Sequence, residues 1–244
     1  MDQQVIFYNN IVSLNTSDHK NLKIKPSQDY SFAGHTNSVP LTGPEFNEAS
    51  KEYPITFAKA ADQEFVAVAV LGLADGENLF VTDTGLWQGR YLPAFIRRYP
   101  FVPAESTEDK LIVCFDETCR RFNETEGEPL VVEGEPSAFL RQIMNFLQEF
   151  HRQTLQTKAF VKKLSEWKLL IERQAEAVTL DGQHHRLSGF WVVDEAAFRG
   201  LDKDQVLELF SSGELALIYQ HLASLTNFQH LLTRKQNGAV AIKH

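Results

Sequence analysis

Residues 78–101 read NLFVTDTGLWQGRYLPAFIRRYPF, the stretch of the 244-residue chain that combines aromatic groups, charge and backbone punctuation most densely. The apolar run at 79–81 predicts a short strand, and a glycine turn follows it. Apolar residues then recur at helical spacing over residues 91–98, which predicts a short helix bounded by proline. The strand and one face of the helix belong to the core, so Trp87 and the arginines of the stretch are left for other roles.

Composition excludes several classes of function. Hydrophobic residues make up 43% and charged residues 23% of the chain, which is typical of a globular protein, and 18 phenylalanines predict a core rich in aromatic rings. The net charge of −8 would repel phosphate backbones and anionic lipid, so neither nucleic acid nor a membrane surface is an expected partner. The two cysteines, Cys114 and Cys119, are too few for a disulfide scaffold or a four-cysteine zinc site.

The sequence carries no segment that we expect to enter a membrane. The first ten residues, MDQQVIFYNN, lack the basic and apolar regions of a signal peptide. The longest apolar run, residues 65–73, is too short to span a bilayer. We therefore expect a cytoplasmic protein that does not insert into membranes.

The N-terminal half is predicted to be rich in antiparallel strands. Residues 55–59 and 65–73 are two strands joined by a polar turn, and residues 79–81 continue them as a β meander. The second strand is apolar on both faces, which predicts a central position in its sheet. A further strand is expected at 111–115, before an acidic stretch with glycine and proline at 124–136 that indicates a boundary between lobes.

The C-terminal half is predicted to be mainly helical. Ser137 caps a long amphipathic helix, an Asp-Gly pair at 181–182 forms the turn of a small β-hairpin, and Asp202 caps one of the C-terminal helices. Strands followed by helices in this order predict an α+β fold. We expect a β-rich lobe at 1–123 and a helix-rich lobe at 136–244 that together form one compact unit.

No sequence signature of catalysis is present. The chain contains no phosphate-binding P-loop, no dinucleotide-binding glycine motif, and no metalloprotease or α/β-hydrolase motif. Adjacent residues of a strand point to opposite faces, as His184 and His185 would, and His221 and His230 lie about 180° apart around a helix. Neither pair can bind one metal ion, so the sequence predicts no catalytic residue, no cofactor and no metal site.

The polar and aromatic residues that remain lie on two segments, 35–46 and 85–101. A guanidinium close to an aromatic ring can hold a carboxylate or an aromatic side chain of a peptide. The alternatives are that the arginines pair with the many acidic residues of the chain itself, and that His35 has a structural role. The candidate partner-binding residues are His35, Asn37, Trp87, Arg90, Arg97, Arg98 and Tyr99.

The same segments carry a family resemblance. The matching runs are H-x-N-x-V-P-L-T-G-P-E-F at 35–46, Y-P-I-T-F at 53–57, V-L-G-L at 70–73, N-L-F at 78–80, G-x-W at 85–87, Y-L-P-A-F-I-R-R-Y-P-F at 91–101, L-S-G-F-x-x-V-D-E at 187–195 and S-L-x-N at 224–227. This pattern resembles the SapC-like proteins of bacteria over nearly the whole chain. It is distinct from the membrane permease of the same name, because nothing in this sequence can cross a bilayer.

The resemblance implies an accessory role. SapC-like proteins are often encoded beside TonB-dependent receptors, flavin-dependent halogenase-like proteins and cupin-type oxygenase-like proteins, which implies a task around a peptide, a protein or an imported small molecule. The first hypothesis is a binding protein with a peptide or protein partner and no catalysis. The alternatives are an enzyme or small-molecule-binding subunit that works with an oxygenase- or halogenase-like protein, and a component of the bacterial surface layer.

Overall fold

A computed structural model describes residues 6–60, 62–105, 111–178 and 184–241 of the chain. Its strands, numbered in chain order, are β1 (Ile11–Ser13), β2 (Lys23–Ile24), β3 (Ser38–Pro40), β4 (Ile55–Lys59), β5 (Phe65–Val70), β6 (Phe101–Glu105), β7 (Leu111–Asp116), β8 (Phe122–Asn123), β9 (Glu128–Pro129), β10 (Val131–Val132), β11 (Glu135–Pro136), β12 (Leu170–Val178) and β13 (His184–Val193). Its α-helices are α1 (Phe46–Ala49), α2 (Ala94–Arg97), α3 (Ala138–Glu166), α4 (Glu195–Arg199), α5 (Lys203–Ser212), α6 (Glu214–Ser224) and α7 (Phe228–Ala241), and short 3₁₀ helices lie at Ser31–Ala33, Gly43–Glu45 and Leu225–Asn227.

The largest sheet has five antiparallel strands in the order β12-β13-β4-β5-β3. β4 and β5 form a hairpin in which Lys59 faces Phe65, and β5 lies between β4 and β3. Residues 67–70 of β5 are buried, as expected for a strand that is apolar on both faces. The antiparallel sheets and the helices around them confirm the predicted α+β fold.

The strand predicted at 79–81 is not formed, because this segment is a turn with a single β-bridge at Val81. Asn78 holds the turn in place. Its side-chain amide donates to the carbonyl oxygen of Ala33, and its side-chain oxygen accepts from the N–H of Phe80, both at 2.9 Å. These bonds direct the backbone away from the sheet, and the strand that pairs with the other edge of β5 is β3, from earlier in the chain.

α3 is the predicted long amphipathic helix, and it runs for 29 residues. Ser137 caps it, since its side-chain oxygen accepts from the N–H of Leu140 at 3.1 Å. The first part of the helix packs with Phe101 and Phe115, which come from the three-stranded sheet β1-β7-β6. The second part, including Phe160, lies in the main core with residues of α1, β4 and α6. One helix therefore contributes to two hydrophobic clusters, the main core and the cluster around Phe101 and Phe115.

The predicted β-hairpin is formed by β12 and β13, and it is larger than expected. Its strands have nine and ten residues, and Trp191 of β13 faces Phe57 of β4, so the hairpin extends the main sheet. Its turn, with the Asp-Gly pair at 181–182, lies outside the described residues.

Three buried polar side chains attach the C-terminal helices to the start of β4. We call His221, Ser224 and Asn227 the polar seam. Ser224 Oγ accepts from the N–H of Ile55 at 2.9 Å, and His221 Nδ1 lies 2.8 Å from the carbonyl oxygen of the same residue. Asn227 Nδ2 donates to two carbonyl oxygens within residues 50–53. Because every bond reaches backbone, the seam fixes the position of α6 and of the chain that leads into α7.

Candidate functional site

A groove with a volume of about 1490 Å³ lies between α7, the residues of and after α1, and the loops within residues 76–91. Most of the residues that line it are polar or charged. The lysines and arginines in it are Lys51, Arg90, Arg234 and Lys235, and the carboxylates are Glu48, Glu52, Glu77 and Asp83. His35 and His230 also face the groove. The surface is therefore of mixed charge, and the pairing of these charges decides which of them are free for a ligand.

Three of the four cations are paired with carboxylates of the groove itself. The N–O distances are 2.5 Å for Lys51 with Glu48, 2.5 Å for Lys235 with Glu77, and 3.3 Å for Arg234 with Glu52. The Arg234 guanidinium also lies 4.2 Å from the centre of the Phe80 ring and donates to the Gln88 carbonyl oxygen at 3.2 Å. The contacts of Arg234 and Lys235 join α7 to the other side of the groove, and Lys51 is paired locally with Glu48, so three cations act mainly as parts of its walls.

Arg90 differs from the other three. Glu52 accepts from the backbone N–H of Arg90 at 2.7 Å and from that of Tyr91 at 3.2 Å, so its carboxylate is occupied by backbone and by Arg234. The Arg90 side chain is exposed and has no ion pair among the described residues. Its backbone position is fixed, while its guanidinium is free to meet an anion that enters the groove.

His35 and Asn37 lie at one end of the groove. The ring nitrogen Nδ1 of His35 is 3.3 Å from the carbonyl oxygen of Gly76, and its side chain is exposed. Asn37 Nδ2 donates to Asp75 Oδ1 at 3.2 Å, and the Asn37 carbonyl oxygen accepts from the N–H of Leu71 at 2.7 Å. Asn37 thus holds the turn at 72–77 in place, and His35 is the one of the two that lines the groove.

Trp87 supports the wall of the groove from behind. Its indole N–H donates to the carbonyl oxygen of Tyr91 at 3.1 Å, and its ring is stacked on that of Phe80 with centroids 5.8 Å apart. Tyr30 meets the same indole ring edge-on. The tryptophan is half-buried and does not line the groove.

Arg97, Arg98 and Tyr99 are not part of the groove lining. Arg97 is exposed and lies 5.1 Å from the centre of the Phe146 ring on α3. Tyr99 is half-buried and stacks on Phe32 with ring centroids 4.1 Å apart. The seven candidate residues therefore divide into His35 and Arg90, which line the groove, and five others that do not.

Arg98 is buried in a box of aromatic rings. It is only 8% exposed, and its guanidinium lies 4.0 Å from the ring centre of Phe95, 5.2 Å from that of Phe150 and 5.7 Å from that of Tyr8. Burial lowers the pKa of Arg98 and raises the pKa of Tyr8 to about 12. Within the part of the chain that the structure describes, Arg98 Nε has no hydrogen-bond partner. This arginine contributes to packing rather than to an open surface.

Glu45 connects the two segments that carry the candidate residues. Its two carboxylate oxygens accept four hydrogen bonds, from the N–H and hydroxyl of Thr42 (both 2.9 Å), from the Tyr91 hydroxyl (2.9 Å) and from the N–H of Ala94 (2.7 Å). Glu45 is 6% exposed; burial of the Tyr91 phenol, together with the negative charge of Glu45 beside it, raises the pKa of Tyr91. The side chain orients Tyr91 and α2 relative to the 35–46 segment.

Sequence reasoning missed the wall of the groove that α7 provides. His230, Arg234 and Lys235 lie 139 residues or more from the 76–91 loops, and no local pattern links the two parts of the chain. The sequence predicts that the C-terminal half is mainly helical, but nothing in that pattern shows which part of the fold its last helix faces.

Two classes of site find no support in the described ranges. No group of three or more histidine, cysteine or acidic side chains there could hold a metal ion. Across the same residues, every helix is too short or too polar to cross a bilayer.

Comparison with known proteins agrees with the resemblance of the sequence motifs. The model of the SapC family matches residues 14–231. No curated protein and no solved structure shows a significant match. Since the family match covers most of the chain, including every segment that forms the groove except its last few residues on α7, the protein belongs to the SapC family.

Proposed function

We propose that this SapC-family protein binds a segment of a peptide or protein partner in the groove, and that a carboxylate of that segment meets Arg90. The observation behind the proposal is the free guanidinium of Arg90 on a backbone that Glu52 fixes. The other groove lysines and arginines already have carboxylates.

The size of the groove favours a peptide over a small molecule. Sites for small ligands usually have about 300–1,000 Å³ and a mainly apolar lining. The groove, at about 1490 Å³, is larger, and most of its lining residues are polar or charged. A peptide in an extended conformation brings backbone groups that can bond to such a surface, with side chains that meet its charges.

The chemistry of arginine favours a carboxylate as the group that is recognised. A guanidinium has five donors in a planar fork, which fits both oxygens of a carboxylate and gives shorter and stronger bonds than a neutral pair. The imidazoles of His35 and His230 can add further hydrogen bonds to the same ligand. Asp83, which also lines the groove and forms no ion pair within the described residues, suits a basic group elsewhere on the segment.

The proposal is tested by measuring binding of a peptide library to the purified full chain, followed by titration of the strongest binders. We expect the library to be enriched in peptides with Asp, Glu or a free C-terminus. Arg90→Ala should weaken the best binder at least tenfold, and Arg90→Lys should weaken it less, because lysine keeps the charge but loses the fork.

Arg97→Ala is the matched control, since Arg97 is an exposed arginine of the same sequence stretch that does not line the groove. It should leave affinity unchanged. Arg90→Ala and Arg97→Ala both keep the hydrogen bond from the backbone N–H of residue 90 to the Glu52 carboxylate. A library without enrichment, or equal affinity of wild type and Arg90→Ala, contradicts the proposed function.

A further inference from the structure

A second surface lies on α5, separate from the groove. Three of its large apolar side chains are exposed: Val206 is 40% exposed, Leu207 61% and Phe210 71%. They surround a shallow cavity of about 400 Å³ whose remaining apolar lining is Leu201 and Leu215. We call these five residues the α5 patch. It shares no lining residue with the groove.

The helix that carries the patch is firmly held. Asp202 and Gln205 form a capping box at its start, and Gly213, with φ of 77°, ends it in the left-handed conformation. Leu209 is fully buried on the inner face. Lys163 of α3 lies 2.6 Å from Glu208, a residue of the helix itself. Because the helix is capped at both ends, the exposure of its apolar side chains is a property of the folded structure and does not result from fraying.

The backbone N–H and carbonyl groups within α5 bond to each other along the helix, so they offer no edge to which a strand could pair. Recognition must therefore occur through side chains. The spacing of Val206 and Phe210, one turn apart, forms a ridge, and the cavity beside it can take the side chains of a second helix. This is the geometry of an amphipathic helix seated in an apolar groove.

The surrounding charge indicates which helix fits. Between residues 201 and 215 there are four carboxylates, Asp202, Asp204, Glu208 and Glu214, and a single lysine, Lys203. Glu208 and Glu214 both pair with Lys163 of α3 at 2.6 Å, so four carboxylates against two lysines leave a net charge of −2 around the patch. The chain as a whole has a net charge of −8. A partner helix with lysine or arginine beside its apolar stripe would gain attraction at this rim, whereas an acidic helix or a second copy of this chain would be repelled.

The small area of the patch also favours a single partner helix over a second copy of this chain. Three exposed side chains on one helix are far less than the roughly 800 Å² that each partner contributes to a standard stable interface. A homodimer would need more apolar surface than α5 offers, whereas one helix with two or three apolar anchors needs only a patch of this size.

We infer that the α5 patch docks a basic amphipathic helix of a partner protein. The inference does not depend on the groove, because the two surfaces share no residue that lines them. Leu207 and Phe210 are the expected anchors, since they are the most exposed of the five.

The test uses a designed 18-residue helical peptide with leucines at positions i, i+3, i+4 and i+7 and lysines on both flanks. Its affinity for the full chain is measured by fluorescence anisotropy. We expect saturable binding that weakens with added salt, at least tenfold weaker binding of the same peptide with glutamates in place of the lysines, and no binding of a scrambled peptide.

The variant Leu207→Ser with Phe210→Ser should lose at least tenfold in affinity for the basic peptide while keeping the wild-type circular dichroism, because both side chains lie outside the core. Leu155→Ser on α3 is the matched control, since Leu155 is also an exposed leucine on a helix, at 52%. It should bind as wild type does.

Three outcomes would overturn the inference. The first is undiminished binding by the double variant, or equal binding of the scrambled peptide. The second is a dimer in light scattering that the double variant abolishes, which would assign the patch to a second copy. The third is binding to neutral phosphatidylcholine vesicles that the double variant loses while the peptide does not compete, which would assign it to lipid.

Discussion

Protonation of His221 should destabilise the fold, and the size of the effect follows from its contacts. The ring is fully buried at the junction of three elements. Nδ1 lies 2.8 Å from the Ile55 carbonyl oxygen on β4, and Nε2 accepts from the N–H of Val193 on β13 at 3.0 Å. Among the described residues, β4 and β13 are paired at Phe57 with Trp191, and the imidazole bridges the two strands next to that pair.

Only the neutral ring can make both bonds. With Nδ1 as donor to Ile55, Nε2 is left as the acceptor that Val193 N–H requires, and a second proton would remove that acceptor. Burial lowers the pKa of His221 from its ordinary value of 6.5 to about 4. The folded state therefore binds this proton more weakly than the unfolded state does. The contribution of His221 is complete above the unfolded pKa and is lost as pH falls from about 6.5 towards 4.

The loss of unfolding free energy follows from the difference between the pKa of His221 in the unfolded state and in the folded state. Each pKa unit corresponds to about 1.4 kcal/mol, so His221 should cost about 2 kcal/mol of unfolding free energy between pH 7.5 and pH 5.0, and about 3 kcal/mol once pH is below 4. Carboxylates titrate mainly below pH 5, which leaves the upper interval to histidine.

The assay is urea unfolding at pH 7.5 and at pH 5.0 for wild type and for His221→Asn. Asparagine can keep the donor to Ile55 but not the acceptor for Val193, so this variant should be less stable by about 1–3 kcal/mol at pH 7.5. It should then lose about 2 kcal/mol less than wild type on acidification. His230→Asn is the control, because it removes an exposed histidine nine residues further along, and its loss should equal that of wild type.

Two results would refute the reasoning. Equal losses in wild type and His221→Asn would show that His221 does not set the pH dependence. An NMR titration in which the His221 ring gains its proton near pH 6.5 in the folded state would show that the ring is not held neutral.

Three further predictions concern the frame of the groove. Glu45→Ala should lower the unfolding free energy by about 2–4 kcal/mol, because buried donors such as the N–H of Ala94 lose their acceptor; a loss below 1 kcal/mol in urea unfolding would contradict this role. Arg98→Met should be as stable as wild type or more so by the same assay, since it removes a buried charge without a carboxylate partner among the described residues, and a cost above 2 kcal/mol would show that the charge stabilises the fold. Gly85→Ala should lower stability by about 2 kcal/mol or more, because φ is 81° and the new Cβ would lie 2.2 Å from Asp29 Oδ1; Gly134→Ala, with φ of 83° and open space around it, separates the backbone effect from the clash in thermal unfolding.

The parts of the fold that sequence patterns predicted are those set by local chemistry. The doubly apolar run at 65–70 forms an inner strand, and the serine at 137 caps α3, because periodicity and capping depend on neighbouring residues only. The burial of Arg98 could not be predicted in this way. Arg97 and Arg98 are adjacent on one turn, and the choice between them depends on Phe150 and Tyr8, which come from distant parts of the chain.

The groove could not be predicted from local sequence patterns either, because its walls come from distant parts of the chain. Its loops lie within the stretch that sequence analysis singled out, but the opposite wall comes from α7, and the contact between Arg234 and the Gln88 carbonyl oxygen spans 146 residues. Arg90 was one of seven candidates, of which only His35 and Arg90 line the groove. Among the lysines and arginines of the groove, Arg90 is distinguished by the pairing of the other three with carboxylates. That pairing is a property of the folded chain.

The motifs that carry the SapC resemblance are explained largely by folding. Glu45, Asn78 and Gly85 hold the loops together, and the S-L-x-N motif supplies Ser224 and Asn227 of the polar seam. Arg90 lies between two of these motifs and belongs to neither. The resemblance therefore accounts for a scaffold that places α7 opposite the loops, and the ligand must be deduced from the free groups that the scaffold presents. On this reasoning, substitutions in the motifs should affect stability first, whereas Arg90→Ala should affect affinity alone.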